Sequence, residues 1–147
     1  MKSTENIIVI DSNFILLPFQ FKIDYFNEIR SNIDGRLKFI IFQQILDELE
    51  NKRRKENKTS KFIRFLESGL IYLENNKESY NIEFLKDIKS PHESTDEFLL
   101  KELINLKSKG NNVFLATNDS ELRKKAIKQH ISTIFLRQRK YLSIERA

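Results

Sequence analysis

Two carboxylates stand where predicted strands end, and such positions could bind a cation or activate water. Asp11 directly follows the apolar run at residues 7–10, and Asp119 follows the run at 113–116 after two polar residues. Short apolar runs are typical of buried parallel strands. Because ligands of a parallel sheet bind beyond the carboxyl ends of its strands, we expect both carboxylates at one edge. For either residue alone, a turn or helix-capping role is the ordinary alternative.

Asp96 begins the apolar face of a predicted helix. Ser94 and Glu97 match a capping box, so we expect Ser94 rather than Asp96 to cap this helix. A carboxylate on an apolar face costs several kcal/mol to bury alone, and it therefore needs a metal ion, an Arg or a Lys as its partner. The apolar residues that share its face follow at spacings of three, four and seven: Leu99, Leu100 and Leu103.

A second capping box is predicted at the start of the helix after residues 113–116. Asn118 and Glu121 have the spacing of this motif, so we expect Asn118 to cap the helix. Asp119 would then lie in the first turn, free to bind a ligand.

The fourth acid lies on the helix predicted at 43–55. Ile45 and Leu49 mark the buried face of this helix, and Asp47 points away from it. Glu48 and Glu50 flank the face, where either side chain can reach a cleft. Periodicity does not choose between them.

Clustered carboxylates favour metal chemistry. Two such charges about 4 Å apart repel by roughly 4 kcal/mol at an effective dielectric near 20, and a divalent cation reverses that sign. Acid clusters of this kind serve two-metal phosphodiester hydrolysis with water as the nucleophile. The chain has no Cys and two His, which excludes disulfides, thiolate zinc sites and cysteine nucleophiles. We therefore expect Mg²⁺ or Mn²⁺, held by oxygen.

The alternation of strand and helix patterns predicts an α/β fold with a central parallel sheet and helices on both faces. The 147 residues fit one domain, 1–147, with a short basic tail from about 137. The predicted strands are 7–10, 39–42, 113–116 and 133–136, with an edge strand at about 80–85. The predicted helices are 24–33, 43–55, 60–75, 94–109 and 119–129.

The net charge of +5 suits a polyanionic partner but is weak support for nucleic acid by itself. The beginning of the chain lacks a signal peptide's apolar region, so we expect a cytoplasmic protein. Basic residues near the cleft are predicted to contact RNA, with solvated surface as the alternative. Tyr141 is predicted to stack a base. The set comprises Lys52, Arg53, Arg54, Lys55, Arg123, Lys124, Arg137, Arg139, Lys140 and Tyr141.

The ordered set of motifs resembles the PIN domain over nearly the whole chain. The motifs are Asp11-Ser12-Asn13, Leu46-Asp47-Glu48-Leu49, Asp96 at a helix start and Thr117-Asn118-Asp119. The resemblance implies a three-layer α/β/α fold and a Mg²⁺- or Mn²⁺-dependent endoribonuclease. It implies that four acids are catalytic metal ligands: Asp11, Glu48, Asp96 and Asp119. It also implies supporting roles for Asn13, Thr117 and Glu121, and it selects Glu48 over Glu50.

Within this family the segments at 17–21, 118–123 and 136–142 resemble the archaeal and eukaryotic branch that includes rRNA-processing endonucleases. Thr95 departs from the pattern, because relatives often carry a second acid there, and Phe42 replaces a common Pro. Alternatives are a toxin-type PIN ribonuclease and a catalytically silent RNA-binding or scaffold module. Partners consistent with these readings are RNA, a second copy of the chain, a ribosome-assembly factor or an antitoxin.

Overall fold

The computed structural model describes residues 5–147, and residues 1–4 at the start of the chain lie outside it. The strands are β1 (Asn6–Ile10), β2 (Leu37–Phe42), β3 (Ile82–Leu85), β4 (Asn112–Ala116), β5 (Ser132–Arg137) and β6 (Tyr141–Glu145). The helices are α1 (Ser12–Ile15), α2 (Leu17–Gln20), α3 (Tyr25–Asn32), α4 (Gln43–Lys55), α5 (Lys61–Asn76), α6 (Thr95–Ser108) and α7 (Ser120–Lys128).

Within residues 5–147 the strands form one six-stranded sheet in the order β3-β2-β1-β4-β5-β6. All neighbouring pairs are parallel except β5 and β6, which are antiparallel. The predicted parallel sheet and the edge strand β3 are confirmed. Strand β1 pairs with β4 so that Ile10 lies opposite Ala116, which places the residues after both strands side by side.

The sheet is the centre of the hydrophobic core, because every residue of β1 is buried and so are the last four residues of both β2 and β4. Helices α1, α2, α4 and α5 contact one another, whereas α6 contacts β4 and α7 contacts β5. Right-handed crossovers place α6 and α7 on the face opposite α4 and α5. The predicted α/β fold with helices on both faces is confirmed.

The segment after residue 137 differs from the predicted basic tail. Residues Tyr141–Glu145 form β6, which pairs with β5 from Arg137 opposite Tyr141 onwards. Gln138 and Arg139 have positive φ values of 53° and 56°, and Lys140 N–H donates to the Arg137 carbonyl at 3.1 Å. Positive φ at both central residues is the backbone of a type I′ hairpin turn, which joins twisted antiparallel strands.

Two short helices that periodicity does not predict, α1 and α2, follow the first strand. Each spans four residues, too short to show a helical repeat in the sequence. The Asp11 side chain caps α1, so the position of this helix matters for the site. No helix among the described residues has the length and apolar character needed to cross a membrane.

Gly69 of α5 lets this helix approach α1 closely. A Cβ at this position would collide with the backbone carbonyl oxygen of Ile15, at the end of α1. The colliding atom belongs to the main chain and cannot rotate away. The packing of α5 therefore limits where α1, and with it the segment after Asp11, can lie.

We predict that Gly69→Ala lowers the free energy of unfolding by about 1–3 kcal/mol, the usual cost of overpacking a core. Helix propensity alone predicts the opposite sign, since Ala is favoured over Gly by about 1 kcal/mol. Urea unfolding of both proteins measures the difference. Ser68→Ala on the same helix is the control, with an expected change within about 0.5 kcal/mol. A Gly69→Ala protein as stable as the original chain would contradict this packing account.

Candidate active site

Asp11 lies at the carboxyl end of β1, and its carboxylate is held on two sides. The residue is only 7% exposed. One carboxylate oxygen, Oδ1, accepts from the Ser12 N–H at 2.8 Å and caps α1. The other, Oδ2, accepts from the Thr117 hydroxyl at 2.7 Å. The carboxylate therefore has a fixed orientation at the edge of the sheet.

Thr117 and Asn13 connect the ends of β1 and β4. The Thr117 hydroxyl also accepts from the Asp119 N–H at 3.1 Å. The Asn13 amide lies 3.3 Å from the Thr117 hydroxyl and 3.4 Å from the second Asp11 oxygen, while its carbonyl accepts from the Asn118 N–H at 3.0 Å. Two of the three residues to which the resemblance assigns supporting roles, Asn13 and Thr117, thus lie together beside Asp11.

The predicted capping box at the start of α7 is wrong. Asp119 is the N-cap, and its Oδ1 accepts from the Glu121 N–H at 2.9 Å and the Leu122 N–H at 3.2 Å. The Asn118 side chain instead accepts from the Leu136 N–H of β5 at 2.9 Å. Because both capping bonds go to one Asp119 oxygen, the other oxygen of this exposed residue makes no part of the cap.

Glu121 contacts Asp119 at the start of α7 through its backbone. Its N–H donates to Asp119, and its side chain is exposed. The structure therefore leaves the Glu121 carboxylate at the rim.

Asp96 occupies the first turn of α6 and is half-buried. The predicted cap is confirmed, because the Ser94 hydroxyl accepts from the Glu97 N–H at 3.1 Å. Asp96 is therefore not needed for capping. Phe98, Leu99 and Leu103 of the same helix are buried, so the carboxylate lies beside an apolar surface, as its spacing predicts.

On α4 the structure distinguishes the two candidate glutamates. Glu48 is half-buried, and one of its carboxylate oxygens, Oε1, accepts a hydrogen bond from the Thr95 hydroxyl. Glu50 is exposed and lies 3.9 Å from Arg54 in a surface ion pair. Glu48 therefore faces the other acids, whereas Glu50 faces solvent. Thr95, where relatives often have an acid, orients Glu48 in this chain.

The acids are near enough to influence one another. Burial raises the pKa of the Asp11 carboxyl, and the charges of Asp96 and Glu48 raise it further, while hydrogen bonds from Thr117 and Ser12 oppose the rise. Burial also raises the pKa of Asp96, with the charges of Asp119 and Glu48 adding to it. Each acid of the set thus repels at least one other.

A divalent cation suits this set of donors. The four side chains offer carboxylate oxygens alone, which are ligands that Mg²⁺ and Mn²⁺ prefer. Asp11 combines burial with a raised pKa, so a positive charge nearby would stabilise its ionised form. Among residues 5–147, no three acidic or histidine side chains are already gathered at metal-binding distance.

The profile of the PIN domain family matches residues 8–137 of this chain. The chain belongs to the PIN domain family. The match covers all four acids, and it confirms both the predicted family and the predicted fold.

Individual proteins agree with this assignment. The chain is similar to ribonuclease VapC4 of Methanocaldococcus jannaschii, with 28% identity over 137 residues that cover 93% of this chain and 95% of the relative. It resembles the solved structure of the PIN domain endonuclease Utp24, with a TM-score of 0.68 and 20% identity over 96% of this chain and 92% of that one. A domain of a functionally unknown protein from Methanocaldococcus jannaschii gives a TM-score of 0.63 and 17% identity, with 92% of each chain covered. The two structural likenesses show a shared fold.

The basic run at the end of α4 does not act as one surface in this PIN domain. Arg53 and Arg54 face acids, since Arg53 lies 3.4 Å from Glu67 and Arg54 lies near Glu50. Lys55 is exposed. Lys52 differs from all three, because it lines a pocket together with Glu48.

A second basic surface lies beside α7. A cavity of about 430 Å³ is lined by Arg123, Lys124 and Lys128, together with Ser120, Ile127 and the acid Glu145. The Arg123 guanidinium stacks on the Phe135 ring with its carbon 3.9 Å from the ring centre, which fixes its direction. This surface adjoins the start of the helix that Asp119 caps.

The hairpin carries the remaining predicted RNA contacts. Arg137 lies 5.9 Å from the centre of the Phe135 ring, and Arg139 and Lys140 are exposed in the turn. Tyr141 is 42% exposed at the start of β6. These side chains extend the positive charge of the α7 surface along a fixed hairpin rather than along a loose tail.

Two residues of the site have roles that sequence reasoning missed. Lys125 is the cation whose charge opposes the raised pKa of Asp96. It lies on the same helix that Asp119 caps, and nothing in the local sequence distinguishes it from the other lysines of that helix. Asn118 joins the loop after β4 to β5, and this long-range bond has no local sequence signal.

We predict that Asp96→Asn raises the melting temperature of the metal-free protein at neutral pH. A folded-state pKa above the unfolded value means that ionised Asp96 opposes folding as pH rises through the folded pKa. The gain should therefore disappear below the ordinary pKa of 3.8, where the carboxyl is protonated in both states. Thermal melts in EDTA across this pH range measure both effects.

Glu97→Gln is the matched control, because Glu97 lies in the same first turn but is exposed. Removing its charge loses a favourable interaction with the helix N-terminus and should lower stability slightly. If Asp96→Asn lowers the neutral-pH melting temperature as Glu97→Gln does, repulsion among the acids is not the dominant interaction at Asp96.

Proposed function

We propose that this PIN domain is a divalent-metal-dependent endoribonuclease that hydrolyses RNA phosphodiester bonds. The observation that carries the proposal is the position of a buried carboxylate, Asp11, whose pKa is raised by burial and by the charges of Asp96 and Glu48. Without a metal ion, repulsion among these carboxylates lowers the free energy of unfolding. A cation bound among these acids would turn the repulsion into attraction.

The four proposed ligands are Asp11, Glu48, Asp96 and Asp119. A divalent ion held there supplies a Lewis acid that lowers the pKa of water and stabilises the leaving oxygen. The protein contributes orientation, because Thr117 and Ser12 fix Asp11 while Thr95 fixes Glu48. Asp119 would bind the ion through Oδ2, because its other carboxylate oxygen, Oδ1, caps α7.

Two observations support RNA as the substrate: basic side chains near the acids and the similarity to a ribonuclease. Lys52 lines a pocket together with Glu48, and the α7 surface adjoins the helix start that Asp119 caps, so phosphates bound near the acids would meet cations. The similarity to ribonuclease VapC4 agrees with this substrate.

For the biological setting we propose processing of rRNA, with a ribosome-assembly factor as a partner. The alternative is a toxin-type ribonuclease with an antitoxin partner, which the sequence similarity to VapC4 favours. Both settings use the same acids. An antitoxin gene next to the gene for this chain would favour the second setting.

We predict that the chain cuts a labelled, structured RNA in the presence of Mn²⁺ or Mg²⁺ and that EDTA stops the reaction. Glu48→Gln should reduce the cleavage rate by at least about a hundredfold, because it removes one charged ligand. Glu50→Gln should leave the rate unchanged, since Glu50 faces solvent two residues away. Gel analysis of the products against time measures all three proteins.

Asp119→Asn should also inactivate the enzyme without unfolding it, because Asn is an equally good N-cap. Equal losses in the Glu48 and Glu50 variants would show that the helix acid is misassigned. A folded protein that binds metal and RNA without cutting would be the silent RNA-binding module. Metal-independent cutting that survives Asp119→Asn would contradict the proposed site.

We further predict that Mn²⁺ raises the melting temperature. A ligand at one hundred times its Kd stabilises the folded state by about 2.7 kcal/mol. Asp11→Asn and Asp96→Asn should each shrink this rise, whereas Asp47→Asn should not, since Asp47 is exposed and accepts a hydrogen bond from Gln43. Thermal melts with and without Mn²⁺ give the comparison, and identical rises in all variants would place the metal elsewhere.

A further inference from the structure

A pocket of about 220 Å³ opens beside Glu48, between α1, α4 and α5. Its apolar lining consists of Leu16, Leu49 and Phe62. Lys52 also lines it, and the ammonium group of this residue lies 4.5 Å from the centre of the Phe62 ring. An acid of the site, an aromatic ring and an exposed cation thus line one small cavity.

We propose that this pocket receives one unstacked nucleobase of a single-stranded RNA, next to the phosphate that is cut. The inference rests on the proposed function, because it assumes that the phosphate to be cut binds next to the metal ligand Glu48. It assigns Phe62 as the stacking surface and Lys52 as the contact for the neighbouring phosphate. The pocket therefore selects substrates, in addition to the charges that hold the strand.

The size and lining of the pocket suit a base. Its volume is below the roughly 300 Å³ at which drug-sized ligand pockets begin, so it has room for a ring system rather than for a chain of nucleotides. The apolar side chains match the faces of a ring, and Ser12 and Asn13 supply a polar part of the lining. The cavity beside α7 has three cations and one acid, Glu145, among its lining residues, so it suits phosphates better than a base.

A base can replace the Lys52 ammonium group on the Phe62 ring. The Lys52 side chain is exposed on a flexible stem, so its contact with the Phe62 ring is of the weaker, solvent-screened kind. Stacking of a base on an aromatic ring is the stronger interaction. An incoming nucleotide can therefore draw the ammonium group to its phosphate and place its base against the ring.

The pocket also favours single strands over duplexes. In a duplex each base is stacked and paired, and its faces are not available to a protein ring. A nucleotide in a loop, a bulge or a free strand can turn its base outward at lower cost. Cutting should thus occur at unpaired positions, with one flanking base in the Phe62 pocket.

The test uses the full chain with Asp119→Asn, so that the strand stays intact, in the presence of Mg²⁺. The probes are single-stranded oligoribonucleotides that carry a fluorescent adenine analogue at one position after another. We expect a stacking signal at one position only. Replacing that nucleotide by an abasic one should weaken binding by about tenfold or more, the usual effect of losing one stacked base.

Phe62→Leu keeps an apolar side chain of similar burial but removes the ring, so it should abolish the signal and weaken binding by about tenfold. Phe62→Tyr should retain both. Phe65→Leu on the same helix is the matched control, because Phe65 is half-buried like Phe62 but packs on Phe19 with 5.9 Å between ring centres, away from the pocket. Phe65→Leu should leave both the stacking signal and the binding affinity unchanged.

A signal that survives Phe62→Leu, an equal loss in Phe65→Leu, or equal binding of a blunt duplex would overturn the base pocket. Cleavage by the chain without the Asp119 change is measured separately. If that chain cuts RNA while Phe62→Leu has no effect on binding, the nuclease stands and the pocket fails. If it does not cut but binding depends on Phe62, the pocket stands on a silent RNA-binding module.

Discussion

A buried carboxylate with a second carboxylate in electrostatic reach is the constraint on which this molecule depends. Asp11 is 7% exposed at the end of the central strand, and its ionised form is opposed by burial and by Asp96 and Glu48. Water cannot screen the repulsion there as it does at the surface. The hydrogen bonds from Thr117 and Ser12 hold the charge in place without removing it. The fold therefore holds charges that repel one another, and the proposed divalent cation would offset this repulsion.

The sheet topology explains why four distant segments supply these acids. The chain places β1 next to β4, so Asp11 and the loop that bears Asp119 follow adjacent strands. Helix α4 follows β2, and α6 begins in the long connection from β3 back to β4, so Glu48 and Asp96 reach the same edge from opposite faces. Because helices cover both faces of the sheet, acids from both helical layers meet at one edge of it.

The elements that sequence periodicity predicted are those whose signals are local. The capping serine of α6 needs only a partner three residues away, and Ser94 was identified correctly. Asn118 was not, because its side chain bonds to the backbone of Leu136, 18 residues later, and this bond leaves the cap to Asp119. Strand β6 was missed because a basic turn hides its alternating pattern. For the acid of α4, periodicity did not separate Glu48 from Glu50; the family resemblance chose Glu48, and in the structure Glu48 is half-buried whereas Glu50 is exposed.

In the proposed function, helix α4 carries both a metal ligand and part of the pocket that would select the substrate. Glu48, Leu49 and Lys52 lie within one and a quarter helical turns, since four residues separate the first from the last. The acid, part of the apolar wall of the pocket and the cation over Phe62 are therefore positioned by the same helix. Thr95 of α6 holds that helix through Glu48, so a shift of α4 that misplaced a base would also break the contact that orients the acid. A base bound in the proposed pocket would thus stabilise the helix position that orients Glu48, so that selecting the base and positioning the acid would depend on the same contacts.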